Sequence, residues 1–107
     1  MFDIRLITAG ICCALISLNL YAAPDIERQV ELTHLLKHDC GSCHGMRLEG
    51  GLGPALKPER LASYSVEALT TTILHGRTGT PMPPWSPFLS EQEAQWVAAL
   101  LKRGVAP

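Results

Sequence analysis

Five consecutive residues, Cys40-Gly41-Ser42-Cys43-His44, carry the strongest chemical signal in this 107-residue chain. Two thiols separated by two residues and followed at once by an imidazole form the pattern of covalent c-type haem attachment. The spacing has a physical reason. On a tight turn the two sulfurs reach the two vinyl groups along one porphyrin edge, and the next residue swings its imidazole beneath the ring to the iron. Gly41 and Ser42 are small and leave the ring edge clear. Three other readings use the same residues. A thioredoxin-like dithiol wants a βαβ setting; a zinc site needs two more ligands, usually a second closely spaced pair; a disulfide over so short a loop constrains little chain and leaves His44 without a role.

A six-coordinate haem needs a second axial ligand from the opposite face. Met46 follows His44 too closely to cross the ring, which leaves Met82 as the remaining methionine after residue 23. Methionine is commonly core filler, but Met82 stands between Pro81 and Pro83 in the stretch RTGTPMPPWSPF, residues 77–88. Proline fixes φ at four positions there, so the segment is stiff, is not helical and presents its side chains at set places. Met82, Trp85 and Phe88 in such a loop require a cover. His75 is the rival ligand, with a plain alternative role as a cation at a helix C-terminus. His34 and His38 read as partly exposed residues of the first helix.

Three helical segments must position these groups. Asp25 can cap a helix from about Ile26 to Asp39, with Ile26, Val30, Thr33 and Leu36 or Lys37 along one stripe. Gly50, Gly51, Gly53 and Pro54 then break regular structure, and Pro58 to Leu61 can form one helical turn. Ser65 caps a second helix with Val66, Leu69 and Ile73 on one face and Gly76 past its end. Ser90 and Glu93 form a capping box for a third, whose apolar stripe is Ala94, Val97, Leu100 and Leu101; Lys102 and Arg103 suit its last turn and Gly104 ends it. Nothing alternates with period two, so an all-α domain is expected.

The composition sharpens this reading. Of the first 23 residues 17 are apolar, with Arg5 before the run and small residues at Ala22 and Ala23. This predicts a cleaved signal peptide over residues 1–23 and export of a domain over 24–107, with no membrane insertion after cleavage. An uncleaved anchor is the alternative. Two of the four cysteines, Cys12 and Cys13, fall in that segment, leaving Cys40 and Cys43. A formal net charge of −1 argues against nucleic-acid binding. So short a domain seldom buries enough apolar surface unaided, and a haem at its centre supplies what is missing.

Taken together, the helix into C-x-x-C-H, the Gly-Pro segment with Leu56, the Met-bearing loop and the closing helix resemble class I cytochromes c over positions 26 to 103. The runs DCGSCHGMRLEGGLGPAL and TTILHGRTGTPMPPWSPFLSEQEAQWV look like the NirC or cytochrome c55X family, encoded with the nitrite reductase that carries haem c and haem d1. The resemblance implies three main helices around one covalent haem c, with Cys40 and Cys43 as thioether sites, His44 as proximal and Met82 as distal iron ligand. It also implies that the Pro54 carbonyl accepts a hydrogen bond from the other ring nitrogen of His44. Arg77 and Trp85 are candidates to hold the propionates. The chain lacks an obvious glycine where the first and third helices cross, with Trp96 as the bulky partner there.

The implied function is periplasmic electron transfer, with no enzymatic centre, by a monomer that receives electrons from an upstream donor and passes them to nitrite reductase in denitrification. Two alternatives stand beside it: a redox accessory in haem d1 maturation of that enzyme, and a haem-based module that senses a ligand.

Overall fold

The computed structural model describes residues 23–106, so the expected signal peptide lies outside the described residues except for Ala23. Among the described residues all regular structure is helical, and no helix is long and apolar enough to cross a membrane. Helix α1 spans Ile26–Leu35, and the Asp25 side chain accepts from the Arg28 N–H at 2.8 Å, as a capping residue does. The expected continuous helix to Asp39 changes pitch: Leu36–Cys40 is a π-helical turn in which the Gly41 N–H reaches back to the Leu36 carbonyl. Helix α2, Gly41–His44, follows at once.

The inward face keeps Leu36 of the expected stripe but not Ile26 or Val30. Leu32 and Leu36 are fully buried, whereas Ile26 and Val30 are 74% and 66% exposed. Leu32, Leu35 and Leu36 form a second apolar ridge one step around the helix, and α5 packs against that ridge. Periodicity alone does not choose between two ridges on one helix.

After α2 the chain wraps as a loop to α3, Pro58–Leu61. Leu48 holds this loop to the core: it is 5% exposed although its φ of 58° is unusual for a leucine. Such a conformation costs roughly 1–2 kcal/mol, offset here by burial of the side chain and by hydrogen bonds from Leu48 N to Gly45 O and from Leu56 N to Leu48 O. Helix α4, Val66–His75, and helix α5, Glu91–Arg103, have the expected caps: Ser65 accepts from Ala68 N, and Ser90 and Glu93 complete a reciprocal capping box. Helix α4 packs along α5. Leu32, Leu36, Leu48, Leu61, Leu89, Val97 and Leu101 make one core.

Arg28 of α1 joins Glu93 of α5 and also Glu31, so the capping-box carboxylate ties the two helix N-termini together. The Arg28 hydrogen bond and the capped backbone hold the Glu93 carboxyl below the usual carboxylate range. A depressed folded value adds stability above the ordinary carboxylate range, and that stability is lost as pH falls through the folded value. Thermal melts of the haem-loaded protein are expected to lose more stability on acidification below about pH 4 than those of Glu93→Gln. Parallel curves for the two proteins would rule this contribution out.

Candidate functional site

The π turn and α2 deliver Cys40, Cys43 and His44 to the wall of one cavity of about 360 Å³. Cys40 is half-buried, Cys43 is exposed, and both thiols are free. Burial, reinforced by Asp39, pushes the Cys40 thiol up to about 11. A redox dithiol needs a depressed thiol for attack, so this environment disfavours the thioredoxin-like reading. The zinc reading loses its ligands: among the described residues no group of three or more His, Cys, Asp or Glu converges on a metal position.

His44 is oriented by the loop that follows it. Its Nδ1 lies 2.7 Å from the Pro54 carbonyl oxygen. A carbonyl only accepts, so Nδ1 carries the proton and Nε2 is left with its lone pair, the form that ligates a metal. The loop is drawn in by hydrogen bonds from Gly53 N to Cys43 O and from Gly50 N to His44 O, each 2.8 Å. Gly53 lies flat against the imidazole, and a Cβ there would sit 2.7 Å from Cε1 and 2.8 Å from Nδ1 of His44. Gly53→Ala is therefore expected to push the ring off Pro54, at a cost of about 1–3 kcal/mol. The measurement is the midpoint potential and thermal stability of the haem-loaded protein; values equal to wild type would show that the ring has room to spare.

The Met82 loop is fastened to the carboxyl end of α4. Trp85 N donates to Ile73 O at 3.0 Å and Ser86 N to Leu74 O at 3.1 Å, which satisfies carbonyls that the helix end leaves unpaired, and within the loop Arg77 N donates to Met82 O at 3.3 Å. A turn closed by Thr80 N on Arg77 O precedes it. Gly76, with φ of 68°, lets the loop backbone pass directly over the helix end. Gly76 thus both ends α4, as its position in the sequence predicts, and seats the loop.

All seven sequence candidates, Cys40, Cys43, His44, Pro54, Arg77, Met82 and Trp85, line this one cavity. Leu35, Leu56, Leu61, Leu69, Ile73 and Val97 make apolar walls between them. His75 does not line it and is exposed at the end of α4. Phe88, 65% exposed, tilts against Trp85 at 5.8 Å between ring centres and extends the apolar rim. Arg60 and Tyr64 also reach the cavity. No motif in the sequence marks either residue, because both are brought in by the turn after Pro58. Two thiols on one wall, an imidazole with a free lone pair, a thioether sulfur and an apolar interior fit a covalently attached haem.

Residues 28–101 match the family described as cytochrome C oxidase, cbb3-type, subunit III. The chain is 56% identical over 85 residues to cytochrome c55X of Pseudomonas aeruginosa, an alignment covering 78% of this chain and 71% of the relative. A solved structure of the c-type cytochrome NirC superposes with a TM-score of 0.73 at 55% identity, over 75% of this chain and 94% of that one. The structure of Dihydro-heme d1 dehydrogenase NirN in complex with DHE superposes with a TM-score of 0.63 at 32% identity, over 69% of this chain but 16% of that one.

Proposed function

The chain belongs to the cytochrome c55X family of c-type cytochromes, electron-transfer proteins of the small class I fold, and on that premise we propose that it is a periplasmic one-electron carrier serving nitrite reductase. It binds one haem c covalently through Cys40 and Cys43, with His44 and Met82 as the iron's axial ligands. The observation that carries the reading is the convergence of both thiols, His44 and Met82 on a single apolar cavity. Haem bound there supplies an Fe(III)/Fe(II) couple. With His44 and Met82 both offered to its iron, such a haem would have no position open to a substrate, and a His/Met pair under an apolar cover would favour its ferrous state.

The residues do the rest by holding still. Pro54 fixes the His44 tautomer and ring plane, and the tethers of the Met82 loop to α4 hold the backbone that carries its thioether. Unchanged coordination in both oxidation states keeps the reorganisation on electron transfer small. Arg77 and Trp85 hold the propionates at the cavity mouth. Pro81, Pro83, Pro84 and Phe88, all exposed around that mouth, give a small apolar docking rim suited to brief encounters with an upstream donor and with the reductase. Arg47, Lys57, Arg60 and Arg77 alternate with Glu49, Glu59 and Glu67 and give no single-signed steering field. The protein works as an exported monomer released by cleavage of residues 1–23.

A second reading, redox service in maturing haem d1, draws support from the likeness to a segment of Dihydro-heme d1 dehydrogenase, 36% identical over 67 residues. A deletion strain separates the two. The carrier reading expects a normal content of fully cofactored nitrite reductase with slowed electron delivery; reductase lacking its d1 haem would transfer the assignment to maturation. Ligand sensing requires Met82 to leave readily, which the hydrogen bonds across the loop oppose.

A further inference from the structure

Away from the cavity, His34 of α1 and His38 of the π turn stand one above the other on the solvent side, with ring centres 4.1 Å apart and planes inclined by 41°. Both side chains belong to exposed residues, and neither ring has a hydrogen-bond partner in the protein among the described residues. We infer that His34 and His38 form a surface chelate site for a borderline divalent transition-metal ion, tightest for Cu²⁺.

The backbone builds this alignment. In an α-helix residue i+4 lies about 40° around the axis from residue i. The π turn over Leu36–Cys40 turns less per residue and brings His38 back over His34. Two imidazoles bound cis to one ion at about 2.0–2.1 Å per metal–nitrogen bond have ring centres roughly 4.5 Å apart. The observed separation is within about half an ångström of that value, so the two rings already stand at the spacing of a chelating pair. The pair of exposed nitrogen donors on one helix face is the i, i+4 arrangement that serves transition metals in zinc helices. With no third carboxylate or thiol converging among the described residues, water completes the coordination sphere. Such an open, nitrogen-rich, tetragonal arrangement favours Cu²⁺ at the head of the divalent affinity order.

The test titrates Cu²⁺ into the ferric, haem-loaded protein, where no electron is available to reduce the ion. One equivalent is expected to bind with an electron paramagnetic resonance spectrum carrying two equivalent nitrogens, and His34→Asn or His38→Asn is expected to weaken it at least about tenfold, the loss of the second arm of a chelate. Unchanged affinity in either variant, or no retention by wild type beyond the double variant, overturns the site. Should a substitution impair haem loading, nuclear magnetic resonance of the unaltered ferrous protein decides. Zn²⁺ must then shift the His34 and His38 ring resonances together, and shifts confined to His75 would overturn the proposal.

Discussion

Met82→Ala is expected to abolish the methionine-to-ferric-haem charge-transfer band, to convert the haem from low spin to a spectrum with an open sixth position, and to admit external ligands. The midpoint potential is expected to fall by on the order of 100 mV or more, against the roughly 0.8 V over which axial ligands set haem potentials. The thioether is the weaker donor of the His/Met pair and stabilises the ferrous state, so its loss favours ferric haem. The substitution itself is mild for the fold, since the loop is held by its backbone through Arg77, Trp85 and Ser86. A spectrum unchanged from wild type would remove Met82 from the iron. His75 is exposed and outside the cavity, so its capture of the iron would require unwinding the end of α4.

Gly76→Ala is expected to produce a related defect from a residue that touches no cofactor. A Cβ there would lie 2.7 Å from the Met82 carbonyl oxygen, 2.8 Å from the Pro83 carbonyl carbon and 2.9 Å from Pro84 N. These are backbone atoms of a stiff loop and cannot step aside as a side-chain tip does. The left-handed φ and the loss of loop-to-helix hydrogen bonds together amount to on the order of 3 kcal/mol. Gly79→Ala is the control: its φ is 79°, yet nothing lies within 4 Å of its added Cβ. It carries the conformational cost alone. Gly79→Ala is therefore expected to keep the charge-transfer band while Gly76→Ala weakens or loses it, as read by near-infrared absorption and thermal melts. Equal behaviour of the two variants would mean that the loop does not need its seat on α4.

Local chemistry was the legible part of this molecule. The thiol-thiol-imidazole run announces itself because covalent attachment fixes residue types and spacing together. The starts of α4 and α5 were legible for a similar reason, since Ser65 and the Ser90–Glu93 pair each satisfy backbone donors within three residues of themselves. What tertiary packing decides was not. Two apolar ridges run along α1 into the π turn, and only contact with α5 selects Leu32, beside the expected Leu36, over Ile26 and Val30. The π turn has no local signature either; it re-phases the chain between Leu36 and Cys40. Gly53 and Gly76 were visible as breakers, while their second role, leaving room for an imidazole and for a loop backbone, depends on residues several positions away along the chain that the fold brings into contact. Arg60 and Tyr64 reach the cavity through the turn at Pro58 rather than through a motif.

The most direct test of the carrier assignment is stopped-flow mixing of the reduced, haem-loaded protein with oxidised nitrite reductase, monitored at the visible bands of this haem. Second-order oxidation is expected, with a rate that rises with reductase concentration. Oxidation no faster than in the absence of reductase would contradict it.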